Sequence, residues 1–295
     1  MGMPKRISSL SVSRHDHDQL GEGPVWDVRT DELLRVDISR GLIRRWDPST
    51  NEESLTELSG EVSAAIPRKS GGLVAAVDHR LLLLDDNGNQ ALLAELETGM
   101  PGNRLNDCRC DAHGRLWAGT MSKDRHRGEA ALYRVDPDGT AAKVLDGTTI
   151  SNGIGWSGSG ERMYFIDSVT QCIDVFDYEL SSGAIANRRT LVEIPAEAGL
   201  PDGLTVDADD CIWVALFGGA AVRRYTPTGV LDAVVELPTS NITCPAFGGP
   251  GLRTLYITSA RHRLSEAALA AQPLAGALFE TKPGVSGRAL HAFAG

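Results

Sequence analysis

Aromatic side chains are scarce in this chain, at 5% of 295 residues, and Trp26, Trp117, Trp156 and Trp213 all fall within stretches that read as strands. A docking scaffold with a broad aromatic face is therefore disfavoured. No run of about 18 apolar residues occurs, so no spanning helix is expected, and Met1 to Arg6 lacks the apolar core of a signal peptide. The expectation is a soluble cytoplasmic protein with no membrane partner. Positive charge is short as well: 29 Lys and Arg stand against 39 Asp and Glu, a formal net charge of −10. That balance disfavours a phosphate backbone, so nucleic acid is not an expected partner. Five cysteines are an odd number and lack the paired spacers of a structural zinc site, so Cys108, Cys110, Cys172, Cys211 and Cys244 read as buried free thiols. Missing too are the Gly-x-Ser-x-Gly elbow, the phosphate loop and the dinucleotide fingerprint.

What is present is repetition. A short apolar strand, a tight polar turn and a second strand recur at Gly23–Val36, Ala64–Val77, Asp107–Gly119, Gly153–Ile166, Gly203–Leu216 and Pro245–Thr258. The interval of roughly 40 to 48 residues is that of a four-stranded propeller blade. In the fifth copy Leu204–Asp207 and Cys211–Leu216 alternate with period two around the turn Ala208-Asp209-Asp210. Third strands follow at Val222–Tyr225 and, in the other copies, at Ile43–Trp46, Leu81–Leu84, Leu132–Val135, Ile173–Phe176 and Ala277–Glu280. Turns such as Asp136-Pro137-Asp138-Gly139 then lead into the fourth strands. The reading is all-β: one six-bladed β-propeller of four-stranded antiparallel blades spanning residues 1–295. Its hydrophobic fraction of 42% is enough for a core.

Such a ring must close, since an open one exposes two sheet edges. Ile7–Ser13 reads as a spare strand, near which Arg288–Phe293 could pair, and the termini are expected to share the last blade. Ser265–Ala271 reads as a short surface helix.

Just ahead of four of the first strands sits a lone acid or amide: Glu22, Asn106, Asn152 and Asp202. Asn152-Gly153 and Asp202-Gly203 could each cap a tight turn. All four share one phase of the repeat, however, and a propeller brings one phase to one ring around its channel. Two carboxylates and amide oxygens form a hard-oxygen set suited to Ca2+, Mg2+ or Mn2+, and carboxylates also accept Zn2+. Arg104, two residues before Asn106, reads as a substrate contact or as the partner of Asp107 or Glu129. The long cationic loops Met121–Glu129 and Ser259–Pro273 fall at the same end and are expected to wall a pocket for a polar solute.

Several segments together resemble the gluconolactonase, regucalcin and senescence-marker-protein family of six-bladed propellers. They are Gly21-Glu22-Gly23-Pro24-Val25-Trp26, Arg104-Leu105-Asn106-Asp107, Gly114–Met121, Ser151-Asn152-Gly153, Tyr164–Ser168, Pro201-Asp202-Gly203 and Phe247-Gly248-Gly249, in family order along nearly the whole chain. The resemblance implies one divalent cation held by Glu22, Asn152 and Asp202, substrate contacts from Arg104 and Asn106, and hydrolysis of sugar lactones to aldonic acids. Gly102-Asn103 and Gly128-Glu129-Ala130 depart from the family pattern.

On this basis the expected function is a metal-dependent sugar lactonase. The cation, Ca2+, Zn2+, Mn2+ or Mg2+, polarises the ester carbonyl and Asp202 serves as general base. Its partner is a small-molecule sugar lactone, and the protein is a monomer or small homo-oligomer. The rivals are a calcium-dependent phosphotriesterase-like hydrolase, in which Asn106 also faces the metal, and a non-catalytic calcium-binding regulatory propeller.

Overall fold

The structure, a computed structural model, describes residues 3–295. Met1 and Gly2, where the segment read for a leader begins, lie outside the described residues. Among the described residues the strands form six sheets, five of four strands and one of five, arranged as a six-bladed β-propeller. Their innermost strands are Gly21–Asp27, Val62–Pro67, Asn103–Cys110, Ser151–Trp156, Leu200–Val206 and Ile242–Gly248. These strands are buried almost throughout, and each packs against the inner strands of neighbouring blades.

Local sequence explains the repeat. In blade three Asp111 follows the inner strand, and its Oδ1 accepts the His113 and Arg115 amides, which closes the hairpin turn. Its Oδ2 accepts Trp117 Nε1 at 3.1 Å, pinning the indole of the second strand. Blade five repeats the device: Asp207 takes the Asp209 and Cys211 amides and, at 2.8 Å, Trp213 Nε1. The tryptophans are therefore core posts between blades, as their strand positions imply; Trp117 and Trp213 are fully buried.

Closure departs from expectation in two ways. Ser11–Arg14 does pair with Leu278–Thr281 as the outer strand of blade six, but Lys5–Ile7 runs parallel to Leu231–Glu236 on the edge of blade five. The single strand expected over Ile7–Ser13 is thus divided between two blades. Nor does Arg288–Phe293 pair beside it. The chain end crosses the floor of the ring, with Gly287 bridged to Asp207, Phe293 to Arg68, and the Ala294 amide bonded to Gly114 O. Phe293 is the reason: it is completely buried in the apolar cluster of Ile66, Leu96, Cys110 and Leu116, and this anchor draws the end inward rather than to an edge. The expected helix forms at Glu266–Ala271, with Ser265 Oγ accepting the Ala268 amide as N-cap. All five cysteines are buried and free.

Candidate functional site

Each inner strand breaks register with its neighbour at the same height, and this irregularity builds the site. The breaks fall between Glu22 and Val25, Val62 and Ala64, Leu105 and Cys108, Ser151 and Ile154, Pro201 and Leu204, and Ile242 and Pro245. A bulge re-aims the side chains it carries. Glu22, Asn106, Asn152 and Asp202 occupy these positions, with Ser63 and Thr243 in blades two and six. Two aspartates at the ends of second strands fix the height. Asp37 accepts the Gln19 and Leu20 amides, and Asp167 accepts those of Thr149 and Ile150, which sets Glu22 and Asn152 two residues further on. Neither Asn152-Gly153 nor Asp202-Gly203 is a turn; both lie inside inner strands. Their glycines answer to crowding around the channel, since a Cβ at Gly203 would strike Cys244 Sγ and one at Gly153 would lie 2.8 Å from Asp202 O.

A cavity of about 180 Å³ opens above this ring, and Glu22, Arg104, Asn106, Asn152 and Asp202 all line it. Arg104 Nη1 donates to Asn106 Oδ1 at 2.8 Å and to Leu105 O at 2.8 Å, while Asn106 Nδ2 donates to Ser151 O at 2.9 Å. The carboxylate beside Arg104 is Glu61, at 3.8 Å, rather than Asp107 or Glu129. Asn152 Nδ2 donates to Ser168 Oγ at 3.1 Å, and Glu22 Oε2 accepts the Gly23 amide at 2.9 Å. Larger surface grooves exist, including one of about 540 Å³ between blades one and two, but it lies away from the ring.

Electrostatically the ring resists the charging of its own carboxyls. Burial pushes the Asp202 carboxyl well above the usual range, and the Glu22 and Asp107 carboxylates push it further, with Asn152 working the other way. Burial and Asp107 raise Glu22 in the same manner, opposed by the Gly23 amide, Arg109 and Arg104. Two buried carboxyls that disfavour each other's charge form a site that an added cation would relieve. Among the described residues no three His, Cys, Asp or Glu side chains converge in metal-holding geometry. A cation here would therefore need the Asn152 amide oxygen together with Glu22 and Asp202, a donor set that fits a hard divalent ion. Below lies Asp107, buried, with Oδ2 lacking a hydrogen-bond partner among the described residues and Arg109 at 4.0 Å from Oδ1.

Sequence reasoning named the two cationic loops but not their working residues. Lys123 and Arg125 come from the first loop and His262 and Arg263 from the second, and all four line the cavity. Glu61, which pairs with Lys123, was missed because blade two carries no acid or amide at the ring phase; Glu61 precedes that phase by two residues. Asp107 was visible only as a candidate partner of Arg104.

The sequence profile of the SMP-30/Gluconolactonase/LRE-like region matches residues 20–261. The chain belongs to this family. Regucalcin of Xenopus laevis is 36% identical to it, over 94% of this chain and 95% of its own length. Among solved structures, the calcium-binding protein regucalcin from Agrobacterium tumefaciens superposes with a TM-score of 0.94 at 30% identity, covering 99% of both chains. A luciferin-regenerating enzyme superposes with a TM-score of 0.86 at 30% identity, over 97% of this chain and 98% of its own. The family region takes in Glu22, Arg104, Asn106, Asn152 and Asp202 and stops one residue before His262. Membership carries a sugar-lactonase or calcium-binding function in general terms. Among the described residues no helix is long and apolar enough to cross a membrane.

Proposed function

We propose that this protein hydrolyses sugar lactones to aldonic acids with one divalent cation held by Glu22, Asn152 and Asp202. The observation that carries the reading is the meeting of two mutually destabilised buried carboxyls and a polar Arg104–Asn106 pair in one small cavity. When bound, the cation would polarise the ester carbonyl and stabilise the negative charge that develops on its oxygen.

This chain's residues do the rest. Asp202 accepts a proton from the attacking water, and the same proton passes to the ring oxygen as the C–O bond breaks, so the site ends in its starting state. Arg104, held by Asn106 and Leu105 O, points donors at the sugar without a rotamer search. Ile38, Ile150, Leu200 and Phe217 give the cavity apolar walls that limit competing water. Calcium is one candidate for the ion, supported by the name of the Agrobacterium relative. The phosphotriesterase-like alternative needs Asn106 as a ligand, and its Oδ1 already accepts from Arg104. The test is a lactone panel read by acid release, run on metal-stripped protein with Ca2+, Zn2+, Mn2+ or Mg2+ restored singly. Turnover of at least one lactone that returns with a cation is expected; no turnover with any of them would remove the reading.

A further inference from the structure

The mouth of the cavity carries more positive charge than the reaction on a neutral lactone requires. Arg125 and Arg263 both line it, in loops from blades three and six, which stand opposite each other in the ring. Among the described residues the Arg125 guanidinium has no hydrogen bond or ion pair, and Arg263 Nε donates only to His262 Nε2, at 3.1 Å. Both side chains are exposed at the rim of the same cavity, and partial desolvation, then the Arg263 charge, lowers the affinity of Arg125 for its proton, with Asp202 working the other way. His262 is lowered by burial and by Arg263, Arg104 and Arg125, so it remains a neutral acceptor that orients Arg263. Nearby carboxylates do not balance the set. Glu61 is already shared by Lys123 and Arg104, and Glu22 and Asp202 would be neutralised by a divalent ion.

Holding these side chains there has a conformational cost. Arg125 has φ 59° and Arg263 φ 61°, left-handed backbone that non-glycine residues adopt at a penalty. In a protein of net charge −10, two unpaired arginines opposed across a pocket are not a general surface feature. A bound anion would remove their repulsion and complete their hydrogen bonds.

We propose that the lactone taken by this site carries an anionic group, a phosphate ester or a carboxylate, at the end remote from its ester carbonyl, and that Arg125 and Arg263 receive it. The inference rests on the lactonase reading and names its substrate class. With the carbonyl at the Glu22, Asn152 and Asp202 ring, the remote end of a six-carbon sugar lactone extends toward the mouth, where both arginines stand. The anion would be bound by guanidinium donors in bidentate fashion, a recognition that Lys cannot reproduce.

The test is calorimetric titration of gluconate, 6-phosphogluconate and glucarate, alongside kcat/KM for the corresponding lactones, on the cation-loaded parent and the Arg125→Gln/Arg263→Gln variant. The two charged arms separate phosphate from carboxylate as the preferred group. At low salt we expect at least one of them to bind about tenfold or more tighter than gluconate, an advantage the double variant loses. The kcat/KM ratio of that charged lactone to the neutral one should fall in parallel. Equal binding of all three acids by the parent, or an advantage that survives the double substitution, would overturn the proposal. If a charged acid binds in an arginine-dependent way but no lactone is turned over, the anion site is upheld and the lactonase reading falls.

Discussion

Arg104 Nη1 lies 2.8 Å from Asn106 Oδ1, so the amide oxygen that could have reached a metal is engaged by a guanidinium. A cation cannot ligate a cation, and an oxygen aimed at an arginine is poorly placed to serve both. The proposed function therefore groups Asn106 with Arg104 as a substrate contact rather than a ligand of the ion.

The expected consequence is a division of phenotypes. Asn106→Ala should leave the affinity for the divalent ion within about twofold while lowering kcat/KM on hydroxylated lactones roughly 10-fold to 100-fold, the scale of one or two lost hydrogen bonds to a buried, charged partner. Arg104→Ala should behave alike. Metal titration by calorimetry decides it, since a large loss of cation affinity in Asn106→Ala would return Asn106 to the ligand set.

Removing the ion should abolish turnover and spare the fold. The blades bury apolar clusters such as Val25, Leu34, Val62 and Ala75, or Trp213, Phe247, Leu255 and Phe279, none of which depends on a metal. Metal loss should lower the unfolding midpoint only by the linked binding energy, about 3 kcal/mol at a hundredfold excess over Kd. Circular dichroism and a thermal scan with chelator check this; cooperative unfolding at room temperature would make the ion structural.

Much of this was legible because the period-two alternation and the 40-to-48-residue interval are imposed by local backbone geometry, which a sequence records directly. Glu22, Asn106, Asn152 and Asp202 were legible for a related reason: a shared phase becomes a shared ring. Glu61, Lys123, Arg125, His262 and Arg263 were not, because they reach the cavity from loops whose paths follow no period. The floor-crossing chain end was hidden too. Phe293 looks like any terminal aromatic until the second and third blades supply the apolar cluster that receives it.

Asp111 offers a pH test of the blade architecture. Burial alone would raise its carboxyl, but bonds from Tyr178, Trp117 and Arg115 outweigh that and hold it below the usual carboxylate range. Its folded pKa is therefore depressed, so its contribution is present above the unfolded value of about 3.9 and is lost as pH falls through the folded value. Asp111→Asn leaves Arg115 buried without its charge partner and should cost about 3 kcal/mol at pH 7. Urea unfolding of parent and variant at pH 7 and near pH 3 should show that gap narrowing in acid. A gap independent of pH would mean that the carboxylate's charge is not what holds the turn.

Asp202→Asn separates chemistry from structure most sharply. The amide keeps the shape of the side chain and one oxygen, yet it cannot accept the proton of the attacking water, so turnover should fall by about 10² to 10⁴. Stability should move the other way in metal-free protein. Burial and the neighbouring Glu22 and Asp107 carboxylates all oppose charge at Asp202, so a neutral residue there relieves repulsion at neutral pH. The folded pKa of Asp202 is raised, which means the parent gains stability as pH falls and Asp202 takes up its proton. The variant should therefore match or exceed the parent's unfolding midpoint at pH 7 with chelator present, and the two should converge in acid. Kinetics at saturating cation and thermal scans without it supply both readings. Near-parental turnover in the loaded variant would eliminate Asp202 as the base, and a large drop in metal-free stability would mark it as a structural residue instead.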